Sequence, residues 1–228
     1  AGTTISQTPT TKKSATTPRS SPTTQTIPGL LEQDTFNRPG QTLWGTASDG
    51  TRWSGDANTS TDFSISNQRG QIYRTTNGHS LYSAILGTTH SDAEIQFTAM
   101  LDSFNNSHIG AMLRYTDDNH YYKVLLDGQS LHFLKRLNPQ QGPTIGQPIS
   151  YSPQLQILYT IRFRVSGATN ITLQAKAWPA NTTEPSGWMI AANDTDPTYQ
   201  TGQGGLRPQV NQNVTLSVTA FQMTSVTS

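Results

Sequence analysis

His120, Tyr121, Tyr122 and Lys123 stand in one run, with Arg114 six residues before it. Side chains of these types take a proton from a sugar ring and neutralise a neighbouring carboxylate, as a polysaccharide lyase must. On strands, however, tyrosines serve mainly as cross-strand packing groups, and a histidine beside a turn is expected at the surface. The remaining histidines, His79, His90, His108 and His132, show no i, i+4 pairing and no HExxH spacing, so metal catalysis has no support. Cysteine is absent, which removes disulfides, thiolate metal sites and a cysteine nucleophile together. Gly202 to Gly205 reads as a turn, since no strand-to-helix context follows that a phosphate loop would need.

Binding a sugar asks for less than cutting one. An aromatic ring stacks on the apolar face of a pyranose, and a few planar polar groups bond its hydroxyls. Trp178 falls on the polar register of its strand beside Lys176 and Gln174, and Arg162 and Arg164 hold the same register on the strand before. With Arg114 and Tyr122 these residues make the candidate ligand-binding set: Arg114, Tyr122, Arg162, Arg164, Lys176 and Trp178. If those faces line one hollow, they form a basic groove for an acidic or neutral glycan. The competing reading is that polar-face residues are simply solvated and that Trp178 caps the core. Trp44 and Trp53 are assigned to packing.

The elements that must position these groups are strands. Tyr159 to Val165 places Ile161, Phe163 and Val165 on one face and Thr160, Arg162 and Arg164 on the other. Asn170 to Trp178 alternates in the same way, as does Val214 to Phe221. Met112 to Asp127 reads as strand, turn on Asp117-Asp118-Asn119, and strand, after which Asp127-Gly128 turns the chain into Ser130 to Arg136. Phe63 to Asn67, Gly70 to Arg74, Ser80 to Leu86 and Ala93 to Phe104 are further strand candidates. No helical stripe exceeds one turn. Short antiparallel strands in such number predict two packed sheets, an all-β sandwich or jelly roll. Pro179 to Gly205 is expected to be the longest stretch outside the strands.

Residues 1–29 differ from all that follows. They hold three basic residues, four prolines, no acid and a dense run of Thr and Ser. Such a segment cannot bury enough apolar surface to offset its ordering entropy, and it is expected to be a disordered linker or stalk ahead of one domain at 30–228. Three of the fifteen basic residues lie in that segment, leaving twelve against fourteen acidic ones, a net of −2 for the domain. That balance is unsuited to a phosphate backbone, so nucleic acid is excluded as a partner. No run reaches the roughly eighteen apolar residues of a membrane span, and the chain is expected to act as a monomer. Six Asn-X-Ser/Thr triplets (Asn58, Asn105, Asn170, Asn181, Asn193 and Asn213) are read as a product of composition.

Asp34-Thr35-Phe36-Asn37-Arg38, Trp44-Gly45 and Asp49-Gly50-Thr51-Arg52-Trp53 resemble the entry strand of bacterial concanavalin A-like lectin/glucanase domains. Gly110 to Tyr115, followed by Asn119-His120-Tyr121-Tyr122, is similar to the central hairpin of laminin-G-like members of that superfamily. Trp178-Pro179, Glu184-Pro185, Trp188, Gly202 and Gly204-Gly205-Leu206 look like the late part of the same pattern, so that the resemblance spans about Leu31 to Val226.

The resemblance implies two curved antiparallel sheets with a face able to hold a glycan. It also implies an extracytoplasmic setting on a bacterial surface protein, such as the outer part of a membrane serine/threonine kinase. Two departures matter. Thr219-Ala220-Phe221 stands where many members carry an acidic pair, so that of a structural calcium site only Asp34 remains as a candidate ligand. Retaining glucanases of this fold carry a Glu-x-Asp-x-Glu strand with carboxylates roughly 5 Å apart; here the three glutamates, Glu32, Glu94 and Glu184, are scattered. The expected function is therefore non-catalytic glycan or ligand binding. A lyase or hydrolase of the same fold and an adhesive spacer without a small ligand are the alternatives.

Overall fold

A computed structural model describes residues 2–3, 27–138, 142–196 and 198–226. Residues 4–26, which hold most of the expected linker, lie outside the described residues.

The chain opens with β1 (Leu30–Asp34), β2 (Gln41–Thr42), β3 (Ser54–Gly55), β4 (Phe63–Ser66), β5 (Arg69–Tyr73) and β6 (His79–Leu81). It continues through β7 (Ala84–His90), β8 (Ala93–Leu101), β9 (Ile109–Asp117), β10 (His120–Leu126), β11 (Ser130–Leu137) and β12 (Thr144–Ser150). The last third holds β13 (Tyr159–Ser166), β14 (Ile171–Pro179), β15 (Ile190–Asp194), β16 (Gly202–Leu206), β17 (Gln209–Asn211) and β18 (Thr215–Ser225).

Two antiparallel sheets result. One runs β15-β14-β13-β8-β18-β5-β4-β2, with β1 also pairing β18, for nine strands. The other runs β12-β11-β10-β9-β16-β7-β3, for seven. A short third ladder joins β17 to β6. The all-β sandwich expected from the alternating pattern is the architecture observed.

Alternation explains how the layers close. Ile161, Phe163 and Val165 of β13 and Ile171, Leu173, Ala175 and Ala177 of β14 are all buried in the common core. They meet Tyr122, Val124 and Leu126 of β10 and Leu131 and Phe133 of β11 from the opposite sheet. Phe133 and Phe163 bring ring centroids to 5.8 Å across the interface. The hairpin β9–β10 turns at Asp118-Asn119 and β10–β11 at Asp127-Gly128, where the turn residues predict them. The stretch Ser80 to Leu86, expected to be one strand, is instead divided between β6 and β7 of different sheets. The expected loop from Pro179 to Gly205 contains β15, which pairs with β14, and Gly202 to Gly205, read as a turn, instead belong to β16 between β7 and β9.

At one end Phe36, Trp44, Trp53, Phe63 and Phe221 form an aromatic cluster, with Trp44 edge-on to Trp53 at 4.9 Å. Asp34, fully buried at 0% exposure, anchors it. Its carboxylate accepts from the Phe36 amide (2.8 Å), the Ser48 amide (3.2 Å), Trp53 Nε1 (2.7 Å) and both Arg38 terminal nitrogens (2.7 and 3.0 Å). Donors surround both oxygens, the reverse of the oxygen-rich cage calcium needs. The residues at Asp34 do not fit a calcium ion, and the metal role expected for it is replaced by a structural one.

Asp34→Ala leaves the Arg38 guanidinium and the indole N–H of Trp53 without their acceptor. The variant is expected to lose about 3 kcal/mol or more in urea unfolding. A loss below about 1 kcal/mol would show that the carboxylate does not anchor this end.

Candidate cleft on the seven-stranded sheet

From Tyr121 to Leu126, strand β10 is apolar on both faces apart from Lys123. Tyr122, Val124 and Leu126 point into the core, while Tyr121, Lys123 and Leu125 point outward and yet are buried too. On that outward side the β6–β17 ladder hangs beside the sheet through His108, whose amide donates to Gln209 O (3.0 Å) and whose carbonyl accepts from the Gln209 amide (3.1 Å). Between ladder and sheet lies a cleft of about 380 Å³. Tyr121, Lys123, Leu125, Leu134 and Arg136 line it from the sheet, and His79, Ser80, Leu81, His108 and Gln209 line it from the other wall.

Lys123 is 3% exposed. Its Nζ lies 2.6 Å from His108 Nε2, a hydrogen bond whose donor and acceptor depend on the imidazole tautomer. Burial first, and then the nearby guanidinium groups of Arg207 and Arg136, hold the Lys123 amine well below the ordinary lysine range. His108 lies well below its usual range for the same leading reason, with Lys123 adding to it. Burial also lowers His132, with Asp127 opposing. Gly110, paired with Leu125 on the neighbouring β9, makes room for this lysine. A Cβ there would stand 2.8 Å from Lys123 Cε and 2.7 Å from Arg207 O.

Arg207 packs beside the cleft, its guanidinium carbon 5.1 Å from the Tyr121 ring centre and its Nε 3.3 Å from Tyr121 Oη. Its charge is met by Asp118 at 2.9 Å, and it also bonds Ser83 Oγ. Tyr115 stacks on Tyr121 at 6.0 Å and donates to Asp118; burial pushes its phenol up to about 12.

The six residues singled out from the sequence fall elsewhere. Arg114, 1% exposed, is no surface ligand group. Its guanidinium donates to the carbonyls of Ser91 (2.7 Å), Tyr199 (2.8 Å) and Gly167 (2.7 Å) and to Asp92 (3.0 Å), tying four chain segments together. Tyr122 is equally buried and donates to Asp194 at 2.7 Å, which with burial pushes its phenol upward.

Arg162, Arg164, Lys176 and Trp178 do share the outer face of the nine-stranded sheet, but not as an open basic groove. Glu94 meets Arg164 at 2.7 Å and Arg162 at 3.3 Å, while Glu184 meets Arg162 at 2.8 Å and Lys176 at 2.7 Å. The segment after β14 folds back so that Lys176 also donates to Pro185 O (2.7 Å), and Trp188 lies 5.0 Å from the Arg164 guanidinium. Trp178 is 6% exposed and offers no stacking platform. Two glutamates distant in sequence thus flank one arginine, but their oxygens are bonded to cations. Of the groups considered for lyase chemistry, Tyr121 and Lys123 meet in the cleft, whereas His120 sits on a turn with Asp117 at 2.8 Å.

His108, Gln209, Arg136 and Arg207 were not singled out. One signal was available: in YYKVLL, 121–126, both faces of the strand are apolar, which marks a strand covered on both sides, and lysine is the exception.

No family model and no curated protein matches the sequence. Solved structures match its fold. The carbohydrate-binding module CBM66 from Bacillus subtilis superposes with a TM-score of 0.55 at 15% identity, over 76% of this chain and 95% of that one. The carbohydrate recognition domain of Emp46p, in its metal-free form, gives 0.54 at 12%, over 88% and 96%. The GH43 protein BlXynB from Bacillus licheniformis gives 0.56 at 12%, over 85% of this chain but only 39% of that one. The chain shares the antiparallel β-sandwich fold of these structures.

In the unfolded chain His108 gains its proton near pH ~6.5; in the folded chain it resists. The unfolded state then binds more protons, so stability falls as pH drops through and below that value. His108→Gln is expected to flatten this dependence when urea midpoints are compared between about pH 7 and about pH 5. A slope equal to that of the unaltered protein would mean that His108 charges freely in the fold.

Proposed function

We propose that this chain is a non-catalytic carbohydrate-binding domain and that its glycan site is the cleft between the seven-stranded sheet and the β6–β17 ladder. The observation that carries the reading is the composition of that cleft. Tyr121, Leu125, Leu134 and Leu81 offer apolar surface, and Gln209, Ser80, His79 and Arg136 offer planar or small polar groups around it. A sugar needs that combination. The nine-stranded face, whose cations are spent on Glu94 and Glu184, offers less. Fold neighbours described as a carbohydrate-binding module and a carbohydrate recognition domain support the class at the level of analogy.

The domain is read as extracytoplasmic, displayed from a bacterial surface protein such as a membrane serine/threonine kinase, on the strength of the Thr-, Ser- and Pro-rich composition of residues 1–29. No helix among the described residues is long and apolar enough to cross a membrane.

One observation favours a second reading, eliminative cleavage of a uronate polymer. Tyr121 and His108, groups able to act as a base, stand near Lys123 and Arg207, groups able to neutralise a carboxylate. New absorbance from unsaturated chain ends on incubation with uronate polymers would establish that reading over the first.

Binding is tested on a glycan array with the purified domain. Ser80→Trp, which fills the cleft from its rim, is expected to weaken any hit by tenfold or more, about 1.4 kcal/mol, without lowering the melting temperature. Trp188→Ala on the opposite sheet is expected to leave the hit intact. The reverse pattern would move the site to the nine-stranded face, and no hit on any glycan would favour the adhesive spacer.

A further inference from the structure

The cleft holds a buried lysine whose charge no carboxylate among the described residues answers. Lys123 and His108 meet at its floor, Arg136 and His79 line it, and Arg207 and His132 approach Lys123 from the flanks. Two acids are near, and each is engaged. Asp118 pairs with Arg207 at 2.9 Å, and Asp127 lies 3.8 Å from His132 and accepts from Ser130. Among the described residues, which include all fourteen acidic ones, no carboxylate lies within ion-pair distance of Lys123 or of His108.

The contrast inside the same molecule is sharp. Lys135, as buried as Lys123, has Asp194 at 2.8 Å and Asp196 at 3.1 Å. Lys176 has Glu184 at 2.7 Å, and Arg162 and Arg164 have Glu94. Buried cations are ordinarily paired. Lys123 instead has an imidazole, a partner that brings no negative charge when neutral and adds repulsion when protonated.

Resting on the glycan reading above, we propose that the cleft selects glycans bearing an anionic group, whose carboxylate or sulfate is received by Lys123 and His108 with Arg136 at the rim. The anion supplies the charge that Lys123 lacks, in a site where little water is left to screen the interaction. Neutral sugars of the same shape meet the same apolar walls but leave the amine unanswered, so discrimination comes from the charge.

A linkage follows from the same geometry. An anion favours the protonated amine and imidazole, so binding takes up protons and affinity rises as pH falls. The titratable and charged groups around Lys123 and His108 are Tyr121 of β10, His132 and Arg136 of β11, Arg207 after β16 and His79 of β6, with Asp118 and Asp127 the nearby acids.

The test is titration calorimetry with the intact chain and three probes: a uronate oligosaccharide, the same oligosaccharide with its carboxyl groups reduced to alcohols, and a sulfated neutral oligosaccharide. The uronate is expected to bind at least tenfold tighter than its reduced form, with tighter binding at lower pH and proton uptake from the buffer. Comparable binding of the sulfated probe would assign the site to anions in general, and its failure would assign it to carboxylates; either result fits the proposal. Lys123→Met keeps the packed stem, removes the charge, and is expected to lose the preference for the uronate while keeping residual affinity for both sugars. His108→Gln is the second variant should the first not fold, and it is expected to abolish the proton uptake. Equal affinity for the uronate and its reduced form, or an unchanged preference in Lys123→Met, overturns the anion proposal and leaves the glycan site standing. Failure of all three probes together with a blank glycan array overturns the glycan reading itself.

Discussion

Side chains on a strand alternate between two faces, and in a sandwich only one of those faces must be hidden. β10 hides both. Its inward residues, Tyr122, Val124 and Leu126, join the common core, and its outward residues, Tyr121, Lys123 and Leu125, are buried beside the β6–β17 ladder. Everything distinctive about the cleft follows from that double burial. The ladder supplies the second wall, Gly110 leaves room for the lysine stem, and desolvation makes the amine a group whose charge state depends on its surroundings.

The two outer faces of the molecule handle positive charge in opposite ways. On the nine-stranded sheet the cations of β13 and β14 are interleaved with Glu94 and Glu184, so the network is internally balanced and solvated at its edges. A network paired in this way presents little net field. On the outer face of the seven-stranded sheet Arg207 has Asp118, but Lys123 has no carboxylate within ion-pair distance among the described residues. Net charge cannot distinguish the two situations, since a chain with formal charge +1 contains both. What separates them is the pairing register, which sets Arg164 opposite Glu94 on β8 but sets Lys123 opposite Met112 and Leu134.

Much of the sandwich was legible because period-two patterning is a local property. β13, β14 and the β9–β10–β11 hairpins fall where alternation and turn residues place them, and Trp44 and Trp53 pack as expected. The site was not legible, because its determinants are long-range. Arg114 falls in a strand whose backbone takes φ 52 at that residue, turning its side chain toward the carbonyls of three distant segments. Trp178 keeps the polar register that alternation assigns it, yet a segment arriving later in sequence folds over that face. β15, IAAND, lacks a period-two alternation of apolar and polar residues, and it forms a strand by pairing with the edge of β14. The His108–Lys123 contact joins residues fifteen apart through a ladder whose strands are three residues long, too short to announce themselves by pattern.

Neighbours at 12–15% identity share the fold. The sandwich fixes where a strand can present a residue, and it does so for any sequence that keeps the inward register apolar. The outward register is then free to carry chemistry. At Lys123 stability and recognition pull in different directions. An unbranched apolar side chain of similar length would fill the same space beside Gly110 and Tyr121 with no desolvated amine. Replacing buried charge by well-packed apolar groups is often neutral or stabilising. The fold therefore does not require the amine. A requirement for it has to come from outside the fold, and the cleft, lined across from the sheet by His79, Ser80 and Gln209, is where such a requirement would enter.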